Sequence, residues 1–504
     1  MKRLAVFLAL LVGASWGCSE ADTPDDVDDS AAAGGDGPPG PGAGSSTGST
    51  GSGGAADPSS RATDGEMAVD ADPNRGLFCN DLQGISTQWL SADDSNSMAS
   101  PARARELIRL GVPPVPAEIR PWEFLNYYDV DYERPEAGLS ISAELAQGPG
   151  DLVTLLVGVQ AAAPAATPRK RSLTFVVDDS GSMRGSSLER VRAALGAIAG
   201  QLHPGDQVSL VTWDAGAGRL EGHEVAGAND PVLLEAIDTL QGFGGSDLVG
   251  GLDLGYQLAQ EHRLDGAVNR VVLMSDGGVN TAEVDTQMIA AQAAEADDAG
   301  IYLVGVGTGP ADKYDDALMD LVTEAGRGAY VYLDSAEEAA NVFGARFTEV
   351  MDVAARDVRL ELHLPEYLRI RETTAEEWGT DPEAIEPQQL APGDSMSFYE
   401  VLTSACSGAL PLEAGLDAKV TWVDPDTGKE KSATFSAALV DLKPGAALAK
   451  ASAVSAWARA LSTADGVRLV AARDAAQAAL GEHGEDPDLQ EIVDLAQAHP
   501  RWPQ

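Results

Sequence analysis

The sequence predicts an α/β fold: a doubly wound domain over residues 168–352, inserted into a β-sandwich, with an N-terminal helical segment and a C-terminal helical cap. Three observations carry this. In the middle of the chain, short continuous apolar runs alternate with amphipathic helical stretches, the pattern of parallel strands buried on both faces between helices. On either side the apolar residues shift to period two, as antiparallel strands with one wet face require. The chain is 504 residues long, 44% hydrophobic and 22% charged, which is enough apolar material for more than one core.

Residues 1–18, MKRLAVFLALLVGASWGC, have a basic start at Lys2 and Arg3, an apolar run and then small residues. That is the pattern of a secretory signal, too short to cross ~30 Å of hydrocarbon as a helix. Its end, SWGC, resembles the lipobox of bacterial lipoproteins, in which the cysteine becomes the acylated first residue. The resemblance implies lipidation of Cys18, although Ser15 and Trp16 depart from the family's preference. Cleavage by an ordinary signal peptidase is the alternative. Export follows in both cases, as a membrane-anchored lipoprotein of the bacterial cell envelope or, if the lipobox is not used, as a secreted protein.

Residues 19–76 turn to Gly, Ser, Pro, Ala and acid. They have no periodicity with which to offset the ordering entropy, and so read as a disordered acidic linker with a reach on the order of 40 Å. The whole chain carries a formal net charge of -45, from 34 basic against 79 acidic residues. A field of that sign repels nucleic acid and anionic lipid, and it favours divalent metals and cationic partners.

The N-terminal helical segment is expected over 77–135, where SPARARELIRLG opens with Ser100 as cap and Pro101 at the first helical position of a surface helix. The aromatic set Trp122, Phe124, Tyr127 and Tyr128 reads as core packing. Sandwich strands follow at 136–167, in LSISAEL and DLVTLLVGVQA, and again at 353–443, in ARDVRLELHL, SMSFYEVLTS, DAKVTWVD and KSATFSAAL. Between them, RSLTFVV leads into a helix capped by Ser186 or Ser187, with Leu188, Val191, Leu195 and Ile198 on one face. The alternation runs on through QVSLVTWDA, DPVLLEAIDTLQ, DLVGGLDLGYQLAQEHR, NRVVLMSDGG, DTQMIAAQAAEADDAG, IYLVGVGTG, DALMDLVTEAG and GAYVYLD to a last helix, SAEEAANVFGARFTEVM. Residues 444–504 read as a cap of three helices.

Two nearly identical words stand in this chain, DDSNSM from Asp93 and DDSGSM from Asp178, and both fit D-x-S-x-S. Such spacing can bring a carboxylate and two hydroxyls around one hard cation. Only the second follows an apolar strand and precedes a helix, which puts Asp178, Ser180 and Ser182 at the carboxyl end of a parallel strand, where ligand sites of doubly wound sheets lie. The first word has neither context, and no cation site is expected at Asp93.

VVDDSGSMRG, then GFGGSDLVGGL, then VVLMSDGGVN together resemble, in order and separation, the von Willebrand factor type A (VWA) domain, a Rossmann-like fold, with its metal-ion-dependent adhesion site (MIDAS). The resemblance implies that Asp178, Ser180 and Ser182 supply the first loop of the site, Ser246 the second and Asp276 the third. Ser246 stands where the family usually has Thr, so the hydroxyl is kept and the rotamer-restricting methyl is lost. The implied ion is Mg2+, with Mn2+ or Ca2+ as alternatives, and the implied partner is a protein or glycan ligand offering a carboxylate to an open coordination position. DDSNSMASPARARELIRLGVPP with IRPWEFLNYYDVDY resembles the N-terminal segment of bacterial exported proteins that carry such a domain.

The expected function is therefore non-enzymatic: surface-tethered binding through the cation. The alternatives are a metal-assisted hydrolase, for which Asp247 is the unassigned carboxylate beside the loops, and a structural envelope lipoprotein with a vestigial site. GVGTGP and DADPNRG imitate a dinucleotide turn and a calcium loop but lack the required glycines. Of the three cysteines, lipidation of Cys18 leaves Cys79 and Cys406 as a candidate disulfide, with two buried thiols as the alternative.

Overall fold

The computed structural model describes residues 77–93, 96–213, 220–243, 247–277, 300–407, 409–463 and 465–503. The expected signal with Cys18, the linker at 19–76, Ser246 and the helix expected from residue 285 onward lie outside the described residues.

The segment expected to be helical opens instead with a strand, β1 (Ile85–Ser91). Its buried residues are Gln88, Leu90 and Ser91, only one of them large and apolar, so the alternation is hard to see. Helices α1 (Ala99–Arg109) and α2 (Pro121–Tyr127) follow. Contrary to expectation α1 is not a surface helix: nine of its eleven residues are buried. Nor does Ser100 cap it. The helix starts at Ala99, the backbone N–H of Ser100 donates to Glu123 Oε2 (2.5 Å), and the Ser100 hydroxyl accepts from the N–H of Arg120 (3.2 Å).

Burial of α1 rests on Arg105, whose guanidinium donates to Asp334 (2.6 and 2.9 Å), Glu338 (2.7 Å), Glu491 (3.2 Å) and the Tyr127 hydroxyl (2.6 Å). A guanidinium can leave water only when its fork is filled by such charge-assisted bonds. Phe124, Tyr127 and Tyr128 are buried in the same core, while Trp122 is half-buried.

After the hairpin of β2 (Leu139–Gln147) and β3 (Val153–Ala161) comes the α/β body. It contains β4 (Arg171–Val177), β5 (Gln207–Thr212), β6 (Leu220–Glu224), β7 (Val268–Ser275), β8 (Tyr302–Gly307) and β9 (Tyr330–Tyr332) in the order β6-β5-β4-β7-β8-β9. Every pairing is parallel except β5 with β6. All residues of β4, β7 and β8 are buried, which is why these segments read as unbroken apolar runs.

Helix α3 (Ser186–Gln201) buries Leu188, Val191, Leu195 and Ile198. It is preceded not by a serine cap but by Gly185 at φ 86°, a backbone conformation that favours glycine. Helix α4 (Pro231–Asp238) is capped by Asp230, which accepts from Val232 and Leu233 N–H with Pro231 at the first turn. Helix α5 (Leu248–Glu261) follows, and another helix spans Asp316–Ala325. The single helix expected from Ser335 is broken into Ala336–Ala340, a π turn at Asn341–Ala345, and Phe347–Met351. The wide turn sends Val342 and Phe343 into the core, while Arg346 donates to the carbonyls of Tyr127 and Asn126 at the end of α2 (2.9 and 3.0 Å).

The remaining strands are β10 (Ala355–Pro365), β11 (Leu368–Thr373), β12 (Glu377–Gly379), β13 (Gln388–Leu390), β14 (Ser395–Ser404), β15 (Gly415–Val423) and β16 (Glu430–Ala438). They build two antiparallel sheets with the earlier strands, β12-β1-β10-β15-β16 with β13 against β10, and β11-β14-β3-β2. Leu155, Val157 and Phe398 from one sheet and Leu360, Leu362 and Val420 from the other meet in one apolar core. The helices Ala446–Thr463, Gly466–His483 and Pro487–Ala498 complete the chain, and Trp457 packs into the core that also holds Phe124 and Tyr128.

Cys79 and Cys406 are joined by a disulfide with their Cα atoms 5.0 Å apart, across 327 residues of sequence. Replacing both by Ser is expected to lower stability by ~2–4 kcal/mol, read by denaturant unfolding. Wild-type protein should also change its gel mobility on reduction, and two titratable thiols in unreduced protein would contradict the pairing.

Glu400, on β14, is fully buried; Thr373 Oγ1 donates to one carboxylate oxygen (2.8 Å) and the other has no partner among the described residues. Burial pushes its pKa up from 4.5 to about 8. The folded state therefore keeps a proton that the unfolded state loses above pH 4.5, so this group's contribution falls as pH rises from about 4.5 to about 8. Glu400→Gln should flatten that slope in melting temperatures measured against pH and leave the variant more stable than wild type at pH 8.

Candidate metal centre

The site begins with the pairing of β4 between β5 and β7. Because β4 and β7 are parallel and in register from Arg171↔Val268 to Val177↔Met274, they end side by side. Asp178 and Asp276 leave the sheet there, 1% and 7% exposed. The backbone N–H of Asp178 donates to the carbonyl of Met274 (2.8 Å), which continues the ladder one residue beyond the strand.

The first loop is held by its own carboxylate. Asp178 Oδ1 accepts from the N–H of Ser180 (2.9 Å), and Asp178 Oδ2 accepts from the hydroxyl of Ser275 (3.0 Å). The Ser180 and Ser182 hydroxyls lie 2.9 Å apart. Ser180 is buried and Ser182 exposed, so the donor set opens to solvent on one side. Burial, with the neighbouring charge of Asp276 adding to it, pushes the Asp178 carboxyl up to about 6, although the bonds from Ser180 and Ser275 oppose the shift.

The loop that leads to Ser246 lies against this one. Arg184 Nε donates to the Gly242 carbonyl (2.7 Å), and a Cβ on Gly242 would stand 3.2 Å from the Ser180 carbonyl oxygen. Ser246 itself is outside the described residues. Asp247 accepts from the N–H of Gly250 (2.9 Å) and caps α5, which is the work its carboxylate does here. On the third loop Gly277 takes φ +72°, and a Cβ on Gly309 would meet the Asp276 carbonyl oxygen at 2.3 Å. The β7 end is thus packed too closely against its neighbours for any side chain at position 309.

Residues 172–345 match the model of the von Willebrand factor type A domain family. This part of the chain is a type A domain. Among curated proteins, YfbK of Escherichia coli (strain K12) is 26% identical over 274 residues, 52% of this chain and 47% of that one. The human inter-alpha-trypsin inhibitor heavy chain H4 is 28% identical over 137 residues, 26% of this chain and 15% of that one. A solved structure described as von Willebrand factor type A from Catenulispora acidiphila is 15% identical, with a TM-score of 0.46, and covers 73% of this chain and 98% of that one. The chain spans less than half the length of the two curated relatives.

Within the type A domain the donor set is made of carboxylate and hydroxyl oxygens, the hard ligands that suit Mg2+, Mn2+ or Ca2+. Two carboxylates removed from water beside each other are costly unless a positive charge lies between them. On this chemistry Asp178, Ser180, Ser182 and Asp276 fit a divalent cation. Reasoning from sequence passed over Ser275, which orients Asp178. Its signal was available in the SD pair at the end of an apolar strand, the mirror of the VD pair that ends β4.

The other D-x-S-x-S word has a different occupation. Asp93 is 1% exposed, and its Oδ2 accepts from the N–H of Ser97 (2.8 Å) and from Asn126 Nδ2 (3.0 Å). Asn126 also donates to the Ser97 carbonyl (3.1 Å), so the carboxylate ties the lead-in of α1 to α2. Calorimetric titration with Mg2+ should therefore separate the two words. Asp178→Ala is expected to abolish cation binding. Asp93→Ala should leave it unchanged while costing about 1–3 kcal/mol of stability, since two donors lose their acceptor.

Proposed function

We propose that this chain is a non-enzymatic, surface-tethered binding protein, in which a MIDAS holds Mg2+, or Mn2+ or Ca2+, and captures an acidic group of a protein or glycan partner. The type A domain is inserted in a β-sandwich, the chain is exported behind residues 1–18, and Cys18 carries the lipid anchor. The observation that carries the reading is the juxtaposition of Asp178 and Asp276 with the Ser180 and Ser182 hydroxyls at the carboxyl ends of β4 and β7. When bound, the cation supplies a coordination position for the partner's carboxylate.

The chain's own residues account for the rest. Ser275 and the N–H of Ser180 fix both oxygens of Asp178, so that carboxylate is oriented before any ion arrives. Ser182, on the exposed side, keeps the site open to a macromolecule. A hydrolase would require a general base beside these loops. His203 lies by Arg171 and Asp206 at the amino end of β4, His223 is bonded to Asp230 (2.9 Å), and Asp247 caps a helix. The likeness to an inhibitor heavy chain supports a binding role over a catalytic one.

Partner capture tests this. Cross-linked pull-down from cell envelopes should recover a partner with Mg2+ and lose it with chelator, and should fail with Asp178→Ala, Ser182→Ala or Asp276→Ala protein that retains its melting transition. Ser246→Ala should weaken capture, whereas Ser246→Thr should preserve or tighten it, because Thr keeps the oxygen and restricts the rotamer. Capture that persists in chelator and in Asp178→Ala would move the contact surface away from this site.

A further inference from the structure

At the other end of the parallel sheet from Asp178 and Asp276 lies a cavity of about 230 Å³. Its wall carries Arg169, Arg263, Arg270 and Arg356, with Asp352 and Asp426 as its acids. With Asp265, which pairs with Arg263 (2.5 Å), four guanidinium groups stand against three carboxylates, a local excess of positive charge in a chain whose formal net charge is -45. The position is also particular. Val268 and Tyr302 on the wall begin β7 and β8, Arg169 precedes β4, and Asp352 and Arg356 flank the start of β10. The cavity therefore sits where the chain passes into and out of the type A domain.

Arg263 is exposed and pairs with Asp265 at the surface, whereas Arg169 and Arg270 are fixed. Arg169 reaches Asp352 (2.5 Å), the Val353 carbonyl and Asp426 (3.4 Å). Arg270 is buried, and its guanidinium carbon stands 4.8 Å from the centre of the Tyr302 ring. Arg356 stands on the same wall, and its Nε is sealed from solvent with no hydrogen-bond partner among the described residues. An unmade bond of that kind costs about 1–3 kcal/mol, and holding like charges around one space adds to the cost. An anion in the cavity offsets the second of these costs. Planar guanidinium forks, rather than lysine ammonium groups, suit paired oxygens of an oxyanion.

We propose that this cavity binds a tetrahedral oxyanion, the phosphate or sulfate group of a small ligand, independently of the cation site. The volume argues for an ester rather than a bare ion. A water molecule takes about 30 Å³ of liquid volume, so 230 Å³ accommodates the anion with room for an attached sugar-sized group.

The test is titration calorimetry of the protein with inorganic phosphate, inorganic sulfate and glucose 6-phosphate, in chloride buffer of matched ionic strength. Saturable binding near one ligand per chain is expected, weakened at least about tenfold, or 1.4 kcal/mol, by Arg356→Gln and unchanged by Asp178→Ala. Tighter binding of glucose 6-phosphate than of phosphate would assign the site to an ester, and equal binding to the free anion; both support it. Should Arg356→Gln lose its fold, Arg263→Gln and the ligand-induced rise in melting temperature of wild-type protein carry the same test. No saturable binding of any of the three probes, or binding that neither arginine variant weakens, would overturn the proposal. Loss of anion binding in a folded Asp178→Ala variant would overturn its independence from the cation site.

Discussion

Two carboxylates emerge side by side, out of water, from neighbouring parallel strands, and much of the type A domain is arranged around that constraint. β4 and β7 have to be parallel, adjacent and in register for Asp178 and Asp276 to share one end of the sheet. They are buried along their whole length, with helices over both faces. The polar groups gathered there then have their own logic. Ser275 and the Ser180 N–H point at Asp178, glycine at 309 lets the next loop lie against the Asp276 backbone, and Arg184 draws the Gly242 loop onto the Ser180 loop. In the proposed function a cation offsets the repulsion between the two carboxylates and offers a position to an outside acid.

Charge is distributed along the domain with the same economy. The carboxyl end of the sheet gathers acid, and the amino end gathers arginine around a cavity. Between them the frame is braced by segments far apart in sequence. Arg105 of the N-terminal helix joins Asp334 and Glu338 of the type A domain to Glu491 of the last helix, and the disulfide ties residue 79 to residue 406. A buried guanidinium satisfied on every side makes separation of those parts expensive. The type A domain is therefore held to the rest of the fold by residues well outside it.

The sequence made the centre of this structure legible because fully buried strands cannot hide. RSLTFVV, VVLMS and IYLVGVG have no polar alternation to confuse with anything else. The helices beginning at Pro231 and Pro487 announce themselves through Asp-Pro, and the structure shows those aspartates capping them. The misses have equally physical causes. β1 buries Gln88 and Ser91, and β6 is a short edge strand whose Gly222 and His223 carry no apolar signal. Helix α1 reads as wet because its arginines look solvated, yet Arg103 and Arg105 are buried, and Arg105 is paired with Asp334 and Glu338, more than two hundred positions later. No local pattern contains that information. The near-repeat at Asp93 shows the converse: a motif read alone says little, and strand, loop and neighbouring strand decide what its oxygens do.

The most direct test of the central claim is where a divalent ion sits. Crystals of the protein soaked in Mn2+ should give an anomalous difference peak bounded by Asp178, Ser180, Ser182 and Asp276, which disappears in crystals of the Asp178→Ala variant. A well-ordered metal-loop region with no peak there, or with the ion instead beside Asp93 or in the Asp129, Glu349 and Asp394 cluster, would contradict the account.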